Sequence, residues 1–199
     1  MAIRMKTPEL IAATLQVTQV LEKLKVPYLI AGSLASTVHG LVRTTQDADL
    51  LAALGSEHLP EFIQALQKDF YLDEQMVSTA VAQQASFNLV HRASMFKVDI
   101  FVTQQTPFDQ AQLKRARRET LIPETSTTAL VATAEDTILS KLKWYQMGGE
   151  VSERQWRDIL GIIKLQQDRL DKAYLHKWAP ELKLSNLLER ALEESRSQD

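Results

Sequence analysis

Two aspartates one residue apart interrupt an apolar segment and limit what this chain can fold into. Asp47 and Asp49 lie in the stretch TQDADLLA at 45–52, fourteen and sixteen positions after Ser33 of a Gly32-Ser33 pair. Carboxylates in an apolar strand are costly to bury unless a cation accompanies them. A Gly-Ser turn between an apolar run and a helix suits a phosphate, because it offers main-chain N–H groups and allows close approach. The combination predicts a metal-dependent enzyme that acts on a nucleoside triphosphate.

Composition excludes several other classes of protein. The 199 residues suffice for one or two domains, and 45% apolar with 24% charged residues is typical of a globular protein. The absence of cysteine excludes disulfides, thiolate zinc sites and a cysteine nucleophile. The N-terminal segment lacks a signal-peptide pattern and no apolar run approaches ~18 residues, so we expect a cytoplasmic protein without a membrane partner. A net charge of −2 argues against coating nucleic acid, although an RNA end could still dock locally.

Apolar periodicity predicts an α/β region over residues 1–125 and a helical region over 126–199 that packs on it. In the first region we expect strands at 26–32, 45–52, 86–91, 95–102 and 117–122, and helices at 8–24, 33–40 and 57–70. The short spacer between 86–91 and 95–102 predicts a hairpin. In the second region we expect helices at 134–147, 152–166, 171–178 and 184–195, with Ser152 as an N-cap.

A third aspartate, Asp99, interrupts the apolar strand at 95–102 and is the natural partner of the first two. Alternation along a strand places Thr45, Asp47 and Asp49 on one face. An adjacent antiparallel strand would bring Asp99 beside the pair. Three converging carboxylates repel one another and favour a cation, and oxygen ligands of this kind suit Mg²⁺ or Mn²⁺. We therefore predict that all three are metal ligands and catalytic residues.

These motifs resemble the nucleotidyltransferase fold of the DNA polymerase β superfamily. That signature, an hG[GS] turn followed by D-h-D and a later carboxylate, corresponds here to Ile30-Ala31-Gly32-Ser33, Asp47-Ala48-Asp49 and Asp99. The segment AGSLASTVHGLVRTTQDADLL also resembles small bacterial nucleotidyltransferase-like proteins with the pattern GGxAxxxHGxxRxTxDxDL. A later block of that group is matched by Glu135, Asp136, Lys141, Arg154 and Asp158. The group includes AbiEii-like toxins of abortive-infection and toxin–antitoxin systems.

The resemblance implies a fold, an activity and partners. The fold would be a small mixed sheet flanked by helices, followed by a C-terminal helical region. The activity would be magnesium-dependent transfer of an NMP unit from an NTP to an acceptor hydroxyl, with Gly32 and Ser33 holding the β- and γ-phosphates. RNA, such as a tRNA end, or a protein would be the acceptor, and a cognate antitoxin or toxin would be a partner.

Four further residues are candidates for nucleotide binding. Arg43 contacts a phosphate or acceptor in one interpretation, and pairs with an acid in a loop in the other. Thr45 lines the carboxylate face. Lys97 shares a strand face with Asp99 and either holds a phosphate or balances the acids. Lys141 either reaches the triphosphate from the helical region or forms an interhelical salt bridge.

Two alternatives to a toxin enzyme stay open at this point. One is an antitoxin-type nucleotidyltransferase that modifies a partner protein. The other is a non-catalytic interaction module of the same fold. Three converging acids favour an enzyme, because a binding module has no evident need for them.

Overall fold

The computed structural model describes residues 7–40, 45–122 and 126–196. Within it the chain forms two compact units. The first comprises Met1–Leu34 with Thr44–Val131, and the second comprises Ala35–Arg43 with Ala132–Asp199. The division predicted from the sequence, 1–125 and 126–199, differs in detail from these units and stays a prediction.

The first unit is built on a mixed sheet. Its strands are β1 (Tyr28–Ile30), β2 (Asp47–Ala52), β3 (Phe70–Tyr71), β4 (Ser86–His91), β5 (Lys97–Val102), β6 (Arg117–Ile122) and β7 (Thr127–Val131). In the described residues they form one seven-stranded sheet in the order β3-β4-β5-β2-β1-β7-β6. The helices that begin in this unit are α1 (Thr7–Lys23), α2 (Gly32–His39), α3 (Leu59–Leu66), α4 (Glu74–Ala82) and α5 (Pro107–Arg115). The predicted mixed sheet flanked by helices is therefore confirmed.

The pairing of the two central strands corrects one prediction. We expected the strand that carries Asp99 to run antiparallel to the strand of Asp47 and Asp49, but β2 and β5 are parallel. The hairpin of β4 and β5 is present, and β5 is the strand of that hairpin that joins β2. Residues 53–96 supply the long crossover that a parallel pair requires. Parallel pairing still brings Asp99 beside Asp49.

Other differences concern element boundaries. The helix predicted over 57–70 is a 3₁₀ turn at Ser56–His58 followed by α3, and Phe70 belongs to β3. The side chain of Phe70 is completely buried and its backbone pairs with His91, so burial in the sheet prevails over the local helical pattern. The elements that sequence periodicity missed are β3, β7, α4 and α5.

The second unit is helical, which confirms the predicted C-terminal helical region. Its helices are α6 (Ala134–Met147), α7 (Glu153–Gln166), α8 (Lys172–Glu181) and α9 (Ser185–Arg196). Helix α6 begins at a cap in which Thr133 accepts from the main-chain N–H of Asp136, and Ser152 caps α7 as predicted. Buried apolar residues on α6 and α7, among them Ile138, Leu142, Ile159 and Ile163, form part of the unit's core. No described helix is both long and apolar enough to cross a membrane.

Candidate active site

The candidate site lies on one face of the central parallel strands. In both β2 and β5 buried and partly exposed residues alternate. One face of each strand is wholly apolar and buried, and the other carries the charged residues together with Leu51 and Phe101. Asp49 lies directly opposite Asp99, and Asp47 lies opposite Lys97. Neighbouring strands are about 4.8 Å apart. The sheet therefore brings three carboxylates and one ammonium group together on one half-open face.

Thr45 lies where the sequence places it, beside the first carboxylate. Its Oγ1 donates to Asp47 Oδ1 at 2.9 Å and also lies 3.1 Å from the carbonyl oxygen of Asp47. The hydroxyl therefore holds one oxygen of this carboxylate in a defined orientation.

The turn at Gly32 is built around Asp49. Gly32 has a φ of +57°, which is in the left-handed region, and a Cβ there would overlap the Asp49 carboxylate. The main-chain N–H of Ala31 donates to the carbonyl oxygen of Asp49 at 2.8 Å. Ser33, only 8% exposed, follows in the first turn of α2. The Gly-Ser turn and the second aspartate thus form one structural feature, which the sequence shows only as separate motifs.

Among the residues that the structure describes, Lys97 brings a positive charge to the carboxylates. Its Nζ lies 3.1 Å from Asp99 Oδ2, with 44% of the lysine side chain and 19% of the aspartate side chain exposed. The hydrogen bond that Lys97 donates to Asp99 raises the pKa of Lys97. The negative charges of Asp99, Asp47 and Asp49 add to this effect, and burial opposes it. All three carboxylates therefore act on the same ammonium group.

The donor set fits a divalent cation, although the side chains are engaged with one another. Among the described residues, no group of three or more acidic or histidine side chains is already arranged to hold a metal ion. Asp47 accepts from Thr45, Asp49 lies against Gly32, and Asp99 is paired with Lys97. The three carboxylates offer the hard oxygen ligands that Mg²⁺ and Mn²⁺ prefer, and the ammonium group of Lys97 shows that a cation is accommodated beside them.

The other sequence candidates do not all join this cluster. Arg43 lies outside the described residues. Lys141 belongs to the second unit, where its Nζ lies 2.8 Å from Asp158 Oδ2 and about nine-tenths of each side chain is buried. This contact is the interhelical salt bridge of the second interpretation, and a role of Lys141 in nucleotide binding stays a prediction.

A cavity beside the carboxylates was not foreseen from the sequence. It has a volume of about 580 Å³, and its lining includes Glu9, Gln46, Asp47, Met95 and Lys97. Met95, in the turn between β4 and β5, is 65% exposed. The sequence does predict this hairpin, but only the parallel register shows that its turn lies near the start of β2.

Comparisons with known proteins identify the fold. No protein-family model and no curated protein matches the sequence. Among solved structures, an antigenic nucleotidyltransferase-like protein from Paracoccidioides brasiliensis is 20% identical, with a TM-score of 0.56 and 93% of each chain covered. The antibiotic-resistance factor ANT(2'')-Ia is 11% identical, with a TM-score of 0.56 over 98% of this chain and 100% of that one. A structure of ANT(2'')-Ia with adenylyl-2''-tobramycin is 10% identical, with a TM-score of 0.53 over 86% and 95%.

The chain therefore has a nucleotidyltransferase-like fold, as the sequence motifs predicted. Membership of the DNA polymerase β superfamily stays a prediction from those motifs. At these identities the likeness establishes the fold alone. The AbiEii-like subgroup stays a prediction that rests on the sequence.

Proposed function

We propose that this protein is a Mg²⁺- or Mn²⁺-dependent nucleotidyltransferase that transfers an NMP unit from an NTP to an acceptor hydroxyl. The register of β2 and β5 carries this proposal, because it sets Asp49 opposite Asp99 with Asp47 on the same face. Three neighbouring acids repel one another, and Lys97 offsets only one of their charges, so the cluster favours a metal-binding enzyme over a binding module that has no evident need for it.

Each site residue receives a role in this proposal. Asp47, Asp49 and Asp99 hold the metal, and Asp99 also assists deprotonation of the acceptor hydroxyl. When bound, the metal makes the α-phosphate more electrophilic and neutralises the departing pyrophosphate. Gly32 and Ser33 bind the β- and γ-phosphates through the turn at the start of α2. Thr45 orients Asp47 through the hydrogen bond between their side chains.

Two further nucleotide-binding candidates contact phosphate in this proposal. Lys97 binds the triphosphate from β5, and Arg43 binds it from the segment before β2. The ammonium group of Lys141 is paired with Asp158, so its role in nucleotide binding stays a prediction. In the reaction, a bond forms between the acceptor oxygen and the α-phosphorus. The bond from that phosphorus to the bridging oxygen breaks, and pyrophosphate leaves. Catalysis then depends on positioning and charge neutralisation.

RNA, such as a tRNA end, or a protein is the acceptor that the sequence resemblance favours. A toxin of a toxin–antitoxin or phage-defence system would act by blocking such a target. An antitoxin-type enzyme would instead modify its partner toxin.

A small hydroxyl-bearing molecule is a second candidate acceptor, and the cavity beside Asp47 favours it. Its volume of about 580 Å³ lies within the range of small-molecule sites, roughly 300–1,000 Å³. Glu9 and Asp47 in its lining outweigh the single charge of Lys97, and this negative balance favours a molecule that carries an amine. ANT(2'')-Ia, which shares the fold, has been solved with adenylyl-2''-tobramycin.

Labelled nucleotides test the proposal directly. The protein is incubated with Mg²⁺ or Mn²⁺ and each α-³²P NTP, together with total RNA, cell protein or tobramycin. We expect one acceptor class to become labelled, and Asp49→Asn or Asp99→Asn to reduce labelling by at least about a thousandfold. Asp69→Asn, at an exposed position in the loop before β3, is the matched control and should leave labelling unchanged. Full labelling by the Asp49→Asn variant would contradict the proposal.

A thermal shift distinguishes the enzyme from a non-catalytic module of the same fold. A ligand that binds only the folded state stabilises it by about 2.7 kcal/mol at a hundredfold excess over Kd. We therefore expect Mg²⁺ with the preferred NTP to raise Tm in the wild type and not in Asp49→Asn. No shift with any NTP would favour the module.

A further inference from the structure

The ammonium group of Lys97 stands among the residues that would hold the divalent cation. Lys97 precedes Asp99 by two positions on β5 and is paired across the sheet with Asp47. Its Nζ lies 3.1 Å from Asp99 Oδ2. The ammonium group therefore occupies an Asp99 oxygen that a bound metal ion would use as a ligand.

We propose that Lys97 is a built-in competitor of the divalent cation, whose ammonium group pairs with the carboxylates in the nucleotide-free protein and leaves when metal and nucleotide bind. This inference rests on the proposed function, since it concerns the metal and nucleotide of the same site. It makes Lys97 a residue that sets metal affinity and couples it to nucleotide binding.

The position of the side chain allows such an exchange. Lys97 is 44% exposed, and it lines the cavity of about 580 Å³ beside Asp47. A four-carbon chain with this exposure can move its charge into the open space without disturbing the sheet. Asp99, by contrast, is held on the strand with 19% of its side chain exposed.

Charge fixes the direction of the effect. With Lys97 in place, the three carboxylates and the ammonium group sum to −2, and without it they sum to −3. A divalent cation entering the cluster is repelled by the ammonium group and must displace it from Asp99. Removing the ammonium group should therefore tighten metal binding by roughly tenfold, which is the size of effect that one close charge has on a neighbouring ionic equilibrium.

Nucleotide binding should respond in the opposite direction. Once displaced, the ammonium group is available to the triphosphate, because the compact positive charge of a lysine attracts phosphate oxygens. A variant without it should bind the metal more tightly and the metal–NTP complex more weakly. A lysine that merely supported the local structure would weaken both when removed, so the opposed signs separate the two roles.

Mn²⁺ titration monitored by electron paramagnetic resonance tests the proposal on the full chain. The variants are Lys97→Met, Lys97→Arg and the matched control Lys68→Met, at an exposed lysine in the loop before β3. We expect the Mn²⁺ Kd to fall about tenfold in Lys97→Met and to stay near the wild-type value in the other two. Thermal melts check that each variant is folded. Unchanged or weaker Mn²⁺ binding in a folded Lys97→Met variant would overturn the proposal.

The outcome is separable from that of the proposed function. Mn²⁺ affinity is measured without nucleotide and without acceptor, whereas the proposed function depends on labelling. Tighter Mn²⁺ binding in Lys97→Met together with no labelling of any acceptor would support the role of Lys97 and refute the transferase. Labelling that depends on Asp49, with Mn²⁺ affinity unaffected by Lys97→Met, would support the transferase and overturn the role of Lys97.

Discussion

Replacing Lys141 with methionine should destabilise the protein by about 3 kcal/mol, because the change removes the ammonium group that is paired with Asp158 in the helical unit. The two charged atoms are 2.8 Å apart, and their side chains are only 10% and 11% exposed. Breaking a buried ion pair from one side costs roughly 3–5 kcal/mol. Because about a tenth of each side chain is still exposed to water, we expect a cost at the low end of that range. For a chain of this length the loss corresponds to a fall in Tm of roughly 6–12 °C.

Urea unfolding followed by circular dichroism measures this loss, and two other variants make it specific. Lys143→Met, at an exposed position two residues along α6, makes the same side-chain change and should alter the unfolding free energy by less than about 0.5 kcal/mol. Lys141→Met combined with Asp158→Leu removes both charges and should recover most of the loss. A cost below about 1 kcal/mol for Lys141→Met, or no recovery in the double variant, would refute the reasoning.

Three further perturbations test other parts of the structure. Gly32→Ala should cost about 1–3 kcal/mol and reduce nucleotidyl transfer at least roughly tenfold, because alanine is strained at φ +57° and its Cβ would overlap the Asp49 carboxylate. Gly149→Ala is the control, because Gly149 has a φ of +75° and an added Cβ there would have no atom within 4 Å, so only backbone strain is introduced. An equal loss of transfer in both variants would contradict the claim that overlap with Asp49 impairs the site. Ser152→Ala should lower the free energy of urea unfolding by about 1 kcal/mol because α7 loses its N-cap, and an unchanged midpoint would argue against the cap. Burial raises the pKa of Tyr28 from 10.0 to about 12, so its contribution to stability is complete below pH 10 and is lost as the pH rises to 12. The difference in unfolding free energy between wild type and Tyr28→Phe should shrink over this interval, and a constant difference would contradict the assignment.

Elements with strong local signals could be predicted from the sequence. The predicted strand at 117–122 matches β6, and the predicted helix at 134–147 matches α6. Helix α5 was missed although its start carries a signal: Thr106 and Asp109 form a capping box and Pro107 occupies the first turn. Its low apolar content gives no periodicity to support that signal. Strand β7 was missed although it follows β6 in a local antiparallel pair, and its parallel pairing with β1 depends on distant residues.

The composition of the candidate site was easier to predict than its arrangement. Alternation along each strand places Asp47 with Asp49, and Lys97 with Asp99, from local geometry alone. The orientation of one strand against the other is not local, so the parallel pairing could not be predicted in this way. The overlap that a side chain at Gly32 would create with Asp49 also depends on the packed structure, because it joins residues on different elements.

The register that sets Asp49 opposite Asp99 also determines when the site forms during folding. These residues are 50 positions apart, so β2 acquires its parallel neighbour only after a long segment has been closed into a loop. The entropy lost in closing such a loop makes non-local strand pairing slow. During synthesis β2 must wait until residues 97–102 have left the ribosome, while the local pairing of β1 with β2 is available earlier. The three acids therefore come together, and repel one another, only at a late step of folding. Lys97 reaches the site at the same step, because it lies on the same strand as Asp99, and its charge partly offsets this repulsion.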